Sequence, residues 1–189
     1  MTGPNITLSK RGHGIEDTGK MLAQLRRADV LVGITQESSS RPGSKINNAE
    51  ILYIFSHGSP KRNQPPRMWI EPAIAAPGNK EPIAEKLKDA AAALLNKDPH
   101  KCNQFLRQAG QLGQAICQRW PYDSRNSWAP NARSTVLAKL RRLHGKAHKD
   151  AMAKIEGMDS IGTVEGLNTV GVDTGALLKA FRFVVRGVR

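Results

Sequence analysis

Four small constellations in this chain have residue types that could carry chemistry. Asp173-Thr174-Gly175 is the tripeptide of an aspartic-protease half-site, in which two carboxylates share one proton because both cannot ionise side by side. That chemistry needs two such loops, or a symmetric dimer, with apolar strands on both sides. Here Val170-Gly171-Val172 precedes the tripeptide and Ala176-Leu177-Leu178-Lys179 follows in helical fashion, so Asp173 or Thr174 is expected to cap a helix. His144 and His148 stand four apart, a spacing that on a helix brings both imidazoles to one side for a metal ion. A third ligand is missing nearby, as is the acid that a zinc protease places between its histidines, so a solvated basic face is expected. His100 with Cys102 could begin a zinc site, but no second pair has ligand spacing. His57, beside Ser56 and Ser59, lacks a nucleophile elbow and reads as a histidine at a helix end. No phosphate-cradling glycine loop is present. The chain is therefore expected not to be an enzyme, and to use no cofactor and no metal.

The remaining chemistry is charge. The 189 residues carry 29 lysines and arginines against 16 acids, a formal net charge of +13. Such a field attracts polyanions or an acidic protein surface and says nothing of fold. The basic residues do not form one tail; they recur at Arg26-Arg27, Lys61-Arg62, Arg141-Arg142 with Lys146 and Lys149, and Arg182, Arg186 and Arg189. That dispersion suits a folded body with a basic face, or a ring whose basic faces converge. Lys61, Arg62 and Arg67 surround Trp69, and a basic loop with a stacking aromatic can hold a single strand. Aromatics make up only 5% of the chain, however, and Trp69 sits between Met68 and Ile70, where burial is the ordinary fate. Trp69 is expected to be a core anchor, while the loop is free to meet a DNA backbone without reading bases.

These groups lie along residues 47–74, a stretch of short apolar segment, basic loop, double proline and tryptophan. Asn48 is the expected helix N-cap, Ile51, Leu52, Ile54 and Phe55 form one broad apolar face, and Gly58 is the expected stop. The loop from Ser59 to Gln64 has nothing apolar to bury and should be exposed. Pro65-Pro66 stiffens the chain in an extended form and delivers Trp69 to one place.

The surrounding elements follow from periodicity. Residues 1–15 are expected to be a flexible N-terminal arm, loose or an edge strand, and no signal peptide is expected. Asp17 should cap a helix carrying Met21, Leu22 and Leu25. Val30-Leu31-Val32-Gly33-Ile34 reads as a strand, followed by a flexible polar loop; a hairpin return is open, though the sequence shows none. Ile83, Leu87, Ala91 and Leu94 define one amphipathic helix, ended at Asp98-Pro99. A second starts near Lys101, with Phe105, Ala109, Leu112, Ile116 and Trp120 along one face, widened by Leu106, Gly113 and Cys117; Pro121 stops it. Ser134 is the expected cap of a third, in which Val136, Leu137, Leu140 and Leu143 face inward. The alternation Phe181, Phe183, Val185 against Arg182, Val184, Arg186 predicts a closing strand. Cys102 and Cys117, fifteen apart on one helix, are expected to be reduced, half-buried thiols. The fold expected is α+β: a small antiparallel β-sheet packed against several amphipathic α-helices. One domain spans 16–140 and 169–189, and a basic helical insertion occupies 141–168.

Five motifs in order resemble the neck and tail-completion (head-tail joining) proteins of tailed bacteriophages, of the lambdoid minor tail type. They are Val32-Gly33-Ile34; Asn48-Ala49-Glu50-Ile51 running to His57-Gly58; Pro65-Pro66-Arg67-Met68-Trp69-Ile70-Glu71-Pro72-Ala73-Ile74; Trp128-Ala129-Pro130-Asn131-Ala132-Arg133-Ser134-Thr135; and Asp173-Thr174-Gly175-Ala176-Leu177. Met68-Trp69 stands where the family usually has Pro-Phe, Glu71 where an arginine is common, and the segment 141–168 is longer than usual. The resemblance implies a structural virion protein of the neck or tail, made in the host cytoplasm. It would form a homo-oligomeric ring, a hexamer or a dodecamer, around the DNA channel. Implied partners are a connector or adaptor and a tail-tube or tail-terminator protein, with packaged DNA touched non-specifically and no membrane. Pro65, Pro66, Trp69, Asp173 and Gly175 are then structural anchors. Lys61, Arg62, Arg67, Arg141, Arg142, Lys146 and Lys149 are the candidates for contact with DNA or partners. The alternative is a basic nucleic-acid-binding protein without a virion role.

Overall fold

A computed structural model describes residues 13–156 and 168–187. The fold is α+β: nine α-helices among the described residues and one two-stranded antiparallel sheet. Of the expected N-terminal arm, residues 1–12 lie outside the described residues, as does the glycine-rich connection at 157–167.

The organising element is α6, Pro99–Arg119. Asp98 begins it, its side chain accepting from the Lys101 amide, with Pro99 in the first turn where a missing N–H costs nothing. The expected stop is thus the next helix's start. Its buried stripe is Cys102, Leu106, Ala109, Gly110, Gly113 and Cys117, while Phe105, Leu112 and Ile116 lie at the flanks. The expected face was centred one ridge away, on the larger side chains. The small residues are central because the sheet lies on them: a Cβ at Gly110 would stand 2.3 Å from the Phe183 ring, and one at Gly113 2.9 Å from Val32 Cγ2. Glycine there permits a backbone approach that any side chain would block.

Strands β1, Asp29–Ile34, and β2, Phe181–Arg186, pair antiparallel with Leu31 opposite Val184. The return partner is therefore the distant strand, not a local hairpin. Val30, Val32 and Ile34 share a face with Phe181, Phe183 and Val185; five of these join the core and Phe183 lies over Gly110, whereas Leu31 and Val184 are exposed. Asp29 closes one end of the ladder, accepting from Arg186 Nε at 3.0 Å and Nη2 at 2.8 Å.

Helix α1, His13–Leu25, begins before Asp17, so that residue is not its cap; the apolar spacing extends upstream through Ile15. Met21 and Leu25 pack toward the contact of α5, Lys80–Leu95, with α6. On α5 the buried residues are Ala90, Ala93 and Leu94; Leu94 lies inward as expected, whereas Leu87, expected on the same face, is exposed. Alanines let two helices approach, so the larger leucine is turned out. Thr35 caps a short turn, α2, Gln36–Ser39, where a flexible loop was expected: Ser38 donates its amide to the Thr35 hydroxyl and accepts the Thr35 amide in return.

Candidate partner-binding groove

Helix α3 spans Asn48–His57. Its cap is Asn47 rather than Asn48: Asn47 Oδ1 accepts from the Glu50 amide at 2.9 Å and Glu50 Oε2 accepts from the Asn47 amide at 2.7 Å. Asn48 is instead buried. It donates to the carbonyls of Ser38 and Ser40 and accepts from Arg41 Nη1, tying the preceding loop to the helix. Gly58 ends α3 with φ 78°. It is also pressed by the returning chain, since a Cβ there would lie 2.8 Å from both Gln64 O and Pro66 N.

The loop from Ser59 to Gln64 is closed. Ser59 and Gln64 exchange amide hydrogen bonds of 2.9 and 3.0 Å around a 3-10 turn at Pro60–Arg62, with Asn63 left-handed at φ 50°. Lys61 and Arg62 are exposed on it. The exposed Pro65-Pro66 pair then runs beside α3, and the Arg67 amide donates to Phe55 O at 3.0 Å.

Trp69 ends this arm at 1% exposure. Its ring packs with Phe55, Trp128 and Phe181 at centroid distances of 5.3, 5.2 and 5.6 Å, the tilted arrangements that aromatic quadrupoles favour. The indole Nε1–H donates to Cys117 O at 2.8 Å. That carbonyl would ordinarily take the amide four residues on, which is Pro121 and has no hydrogen to give. Trp69 therefore satisfies an acceptor that a proline leaves open, and no face of the indole is left for a base. Immediately after it comes helix α4, Ile70–Ala75.

The segment from residue 168 meets the same cluster. A Cβ on Gly171, at φ 77°, would stand 2.9 Å from Trp69. Asn131 Nδ2 donates to the carbonyls of Asn168 and Thr169. Helix α7, Arg133–Leu140, follows Ala132 as its N-cap; Ser134, the expected cap, is already inside the first turn. From α7, Lys139 Nζ donates to Thr169 O at 2.9 Å and Val172 O at 2.5 Å, and Arg142 pairs with Asp173. Gly175, at φ 75°, is the N-cap of α9, Ala176–Ala180, and no side chain caps it; neither Asp173 nor Thr174 is the cap that was expected, although the Thr174 hydroxyl accepts the Ala176 amide. Helix α8, Gly145–Glu156, packs on α7 through Ala151 and Met152 against Val136 and Leu140.

Between arm, α7 and the 171–177 loop runs a groove of about 680 Å³. Its lining includes Arg41, Arg62, Arg67, Lys139 and Arg142, against one carboxylate, Asp173. Arg67 stacks over Phe55, 5.6 Å from the ring centroid, and Nη2 donates to Ala129 O, while its enclosed Nε has no hydrogen-bond partner. Burial holds the Arg67 guanidinium and the Lys139 ammonium below their ordinary values, Asp173 partly offsetting this for Lys139. Of the candidate contact residues, the structure brings Arg62, Arg67 and Arg142 together here. Lys61, Arg141, Lys146 and Lys149 are exposed outside the groove. Arg41 was missed by sequence reading, and nothing in its Ser-rich surroundings marks it.

His144 precedes α8, and His148 Nδ1 lies 3.3 Å from Leu140 O. Among the described residues no group of three or more His, Cys, Asp or Glu is arranged to hold a metal ion, and no helix is long and apolar enough to cross a membrane. Comparisons with protein-family models, with curated proteins and with solved structures find no match.

Proposed function

We propose that this chain is a structural protein of the phage head-tail junction, a tail-completion or neck protein that assembles into a homo-oligomeric ring around the DNA channel. One observation carries the reading. Four of the five segments that bear the resemblance, scattered through the sequence at 48–58, 65–74, 128–135 and 173–177, meet around one aromatic cluster and one groove. Separate motifs that converge in space act as one unit, and this unit presents cations and a rigid arm rather than reacting groups. The role is geometric and not enzymatic: Trp69 fixes the arm, the arm fixes the closed basic loop, and basic loops facing a channel tolerate any DNA sequence.

The test is assembly. Purified chain, alone and mixed with connector and tail proteins, should give rings in negative stain and a matching mass by light scattering. Replacing Lys61, Arg62 and Arg67 by glutamate should impair joining of heads to tails. A chain that stays monomeric, joins neither protein and binds DNA with a steep dependence on salt would replace this reading by the nucleic-acid-binding alternative.

A further inference from the structure

The groove holds more positive charge than its own residues use. Arg142 is committed to Asp173, and Lys139 is held by two carbonyl oxygens that do not cancel its charge. Among the described residues, Arg41 is held by the neutral Asn48 side chain and pairs with no carboxylate. Arg62 and Arg67 pair with no carboxylate among the described residues, and Arg67 is in addition partly desolvated with its Nε enclosed and unpartnered. A cation in that state gains from an incoming carboxylate more than a fully hydrated one does, because much of the desolvation has already been met by the fold. Beside these cations, Ile51, Pro65, Pro130 and Val172 give the groove apolar wall.

We propose that this groove is a docking site for an extended acidic segment of another protein, with a carboxylate on Arg62 and Arg67 and apolar neighbours against Ile51, Pro65 and Pro130. The volume falls in the range of sites that enclose a small ligand, about 300–1,000 Å³, which suits a few extended residues. Charge complementarity chooses the occupant. A second copy of this chain is a poor source of an acidic segment for this groove, because its 16 acids are outnumbered by 29 lysines and arginines. A single strand held by stacking needs cations tracking its backbone and a face for its bases. Here the cations are interleaved with apolar side chains and Asp173, and Trp69 is covered. The inference goes beyond the virion reading and stands whether or not rings form.

The experiment is fluorescence anisotropy on the full chain. Three labelled probes are used: a short peptide alternating aspartate with leucine and proline, the same peptide with asparagine for aspartate, and a single-stranded oligothymidylate. The acidic peptide should bind saturably, and the asparagine peptide about tenfold or more weakly, as expected for the loss of a charge-assisted hydrogen bond. The double variant R62Q/R67Q should lose binding to a similar extent. Ala138→Trp, which fills the groove from an exposed position on α7 and leaves the core alone, should abolish binding with the circular dichroism and melting unchanged. Absence of peptide binding, equal binding of the two peptides, or insensitivity to Ala138→Trp would each overturn the proposal. So would an oligothymidylate that competes for the groove and is lost in the same variants.

Discussion

Trp69 concentrates at one residue three separate demands: an apolar surface for Phe55, Trp128 and Phe181, a donor for Cys117 O, and an end-stop for the proline arm. Phenylalanine keeps the first and loses the second. Trp69→Phe should therefore destabilise the fold by about 1–3 kcal/mol, the cost of leaving a buried carbonyl unsatisfied, measured by denaturant unfolding. The two thiols are the other residue-scale case. Both are buried and free, and burial pushes Cys117 up to about 12 and raises Cys102 as well. Because the thiolate is the reactive form, a thiol reagent at mildly alkaline pH should label neither in the native protein and both after denaturation. The burial of Trp69 was legible, since Met68 and Ile70 flank it. The Asn47 cap was also legible in principle, because Glu50 lies three residues beyond Asn47 and not beyond Asn48. The partner of the indole was not legible, because it depends on Pro121, fifty-two positions away in sequence.

At the scale of elements, α6 is read correctly by period and wrongly by weight. Hydrophobic size points to Phe105, Leu112 and Ile116, but two layers that must come close choose Gly110 and Gly113 instead. The same preference for small side chains turns Leu87 of α5 outward. Gly110→Ala should be destabilising by about 1–3 kcal/mol despite alanine's better helix propensity, because Phe183 must move to admit the methyl group. Calorimetric melting of the two proteins checks this, and a higher melting temperature for the variant would show the sheet to be less closely seated. The basic loop is the opposite case: its exposure followed from composition, whereas its closure by the Ser59 and Gln64 amides did not, since turn closure is a property of paired backbones.

At the scale of the molecule, the sheet joins positions that local pattern cannot connect. Asp29 and Arg186 are 157 residues apart, and the Arg186 guanidinium, by hydrogen bonding and charge, holds the Asp29 carboxyl below its ordinary 3.8. A carboxylate whose folded value is depressed adds stability above its unfolded value and gives it up as pH falls through the folded one. Asp98 and Asp123 are lowered as well, by the Lys101 amide and the Arg125 side chain respectively. Stability should therefore hold down to about pH 4 and decline below it, and Asp29→Asn should flatten part of that acid decline in unfolding measured across the range. The long reach of the pairing also sets an order of events during synthesis. Residues of β1 leave the ribosome well before Phe183, whose ring fills the notch at Gly110. Until then the glycine face of α6 and the apolar side of β1 have no cover, and the nascent chain must be shielded by chaperones or stay loosely collapsed. Final closure of the body is thereby tied to synthesis of β2, so a fragment released before that strand would carry a visible mark of its incompleteness to the proteases of the cell.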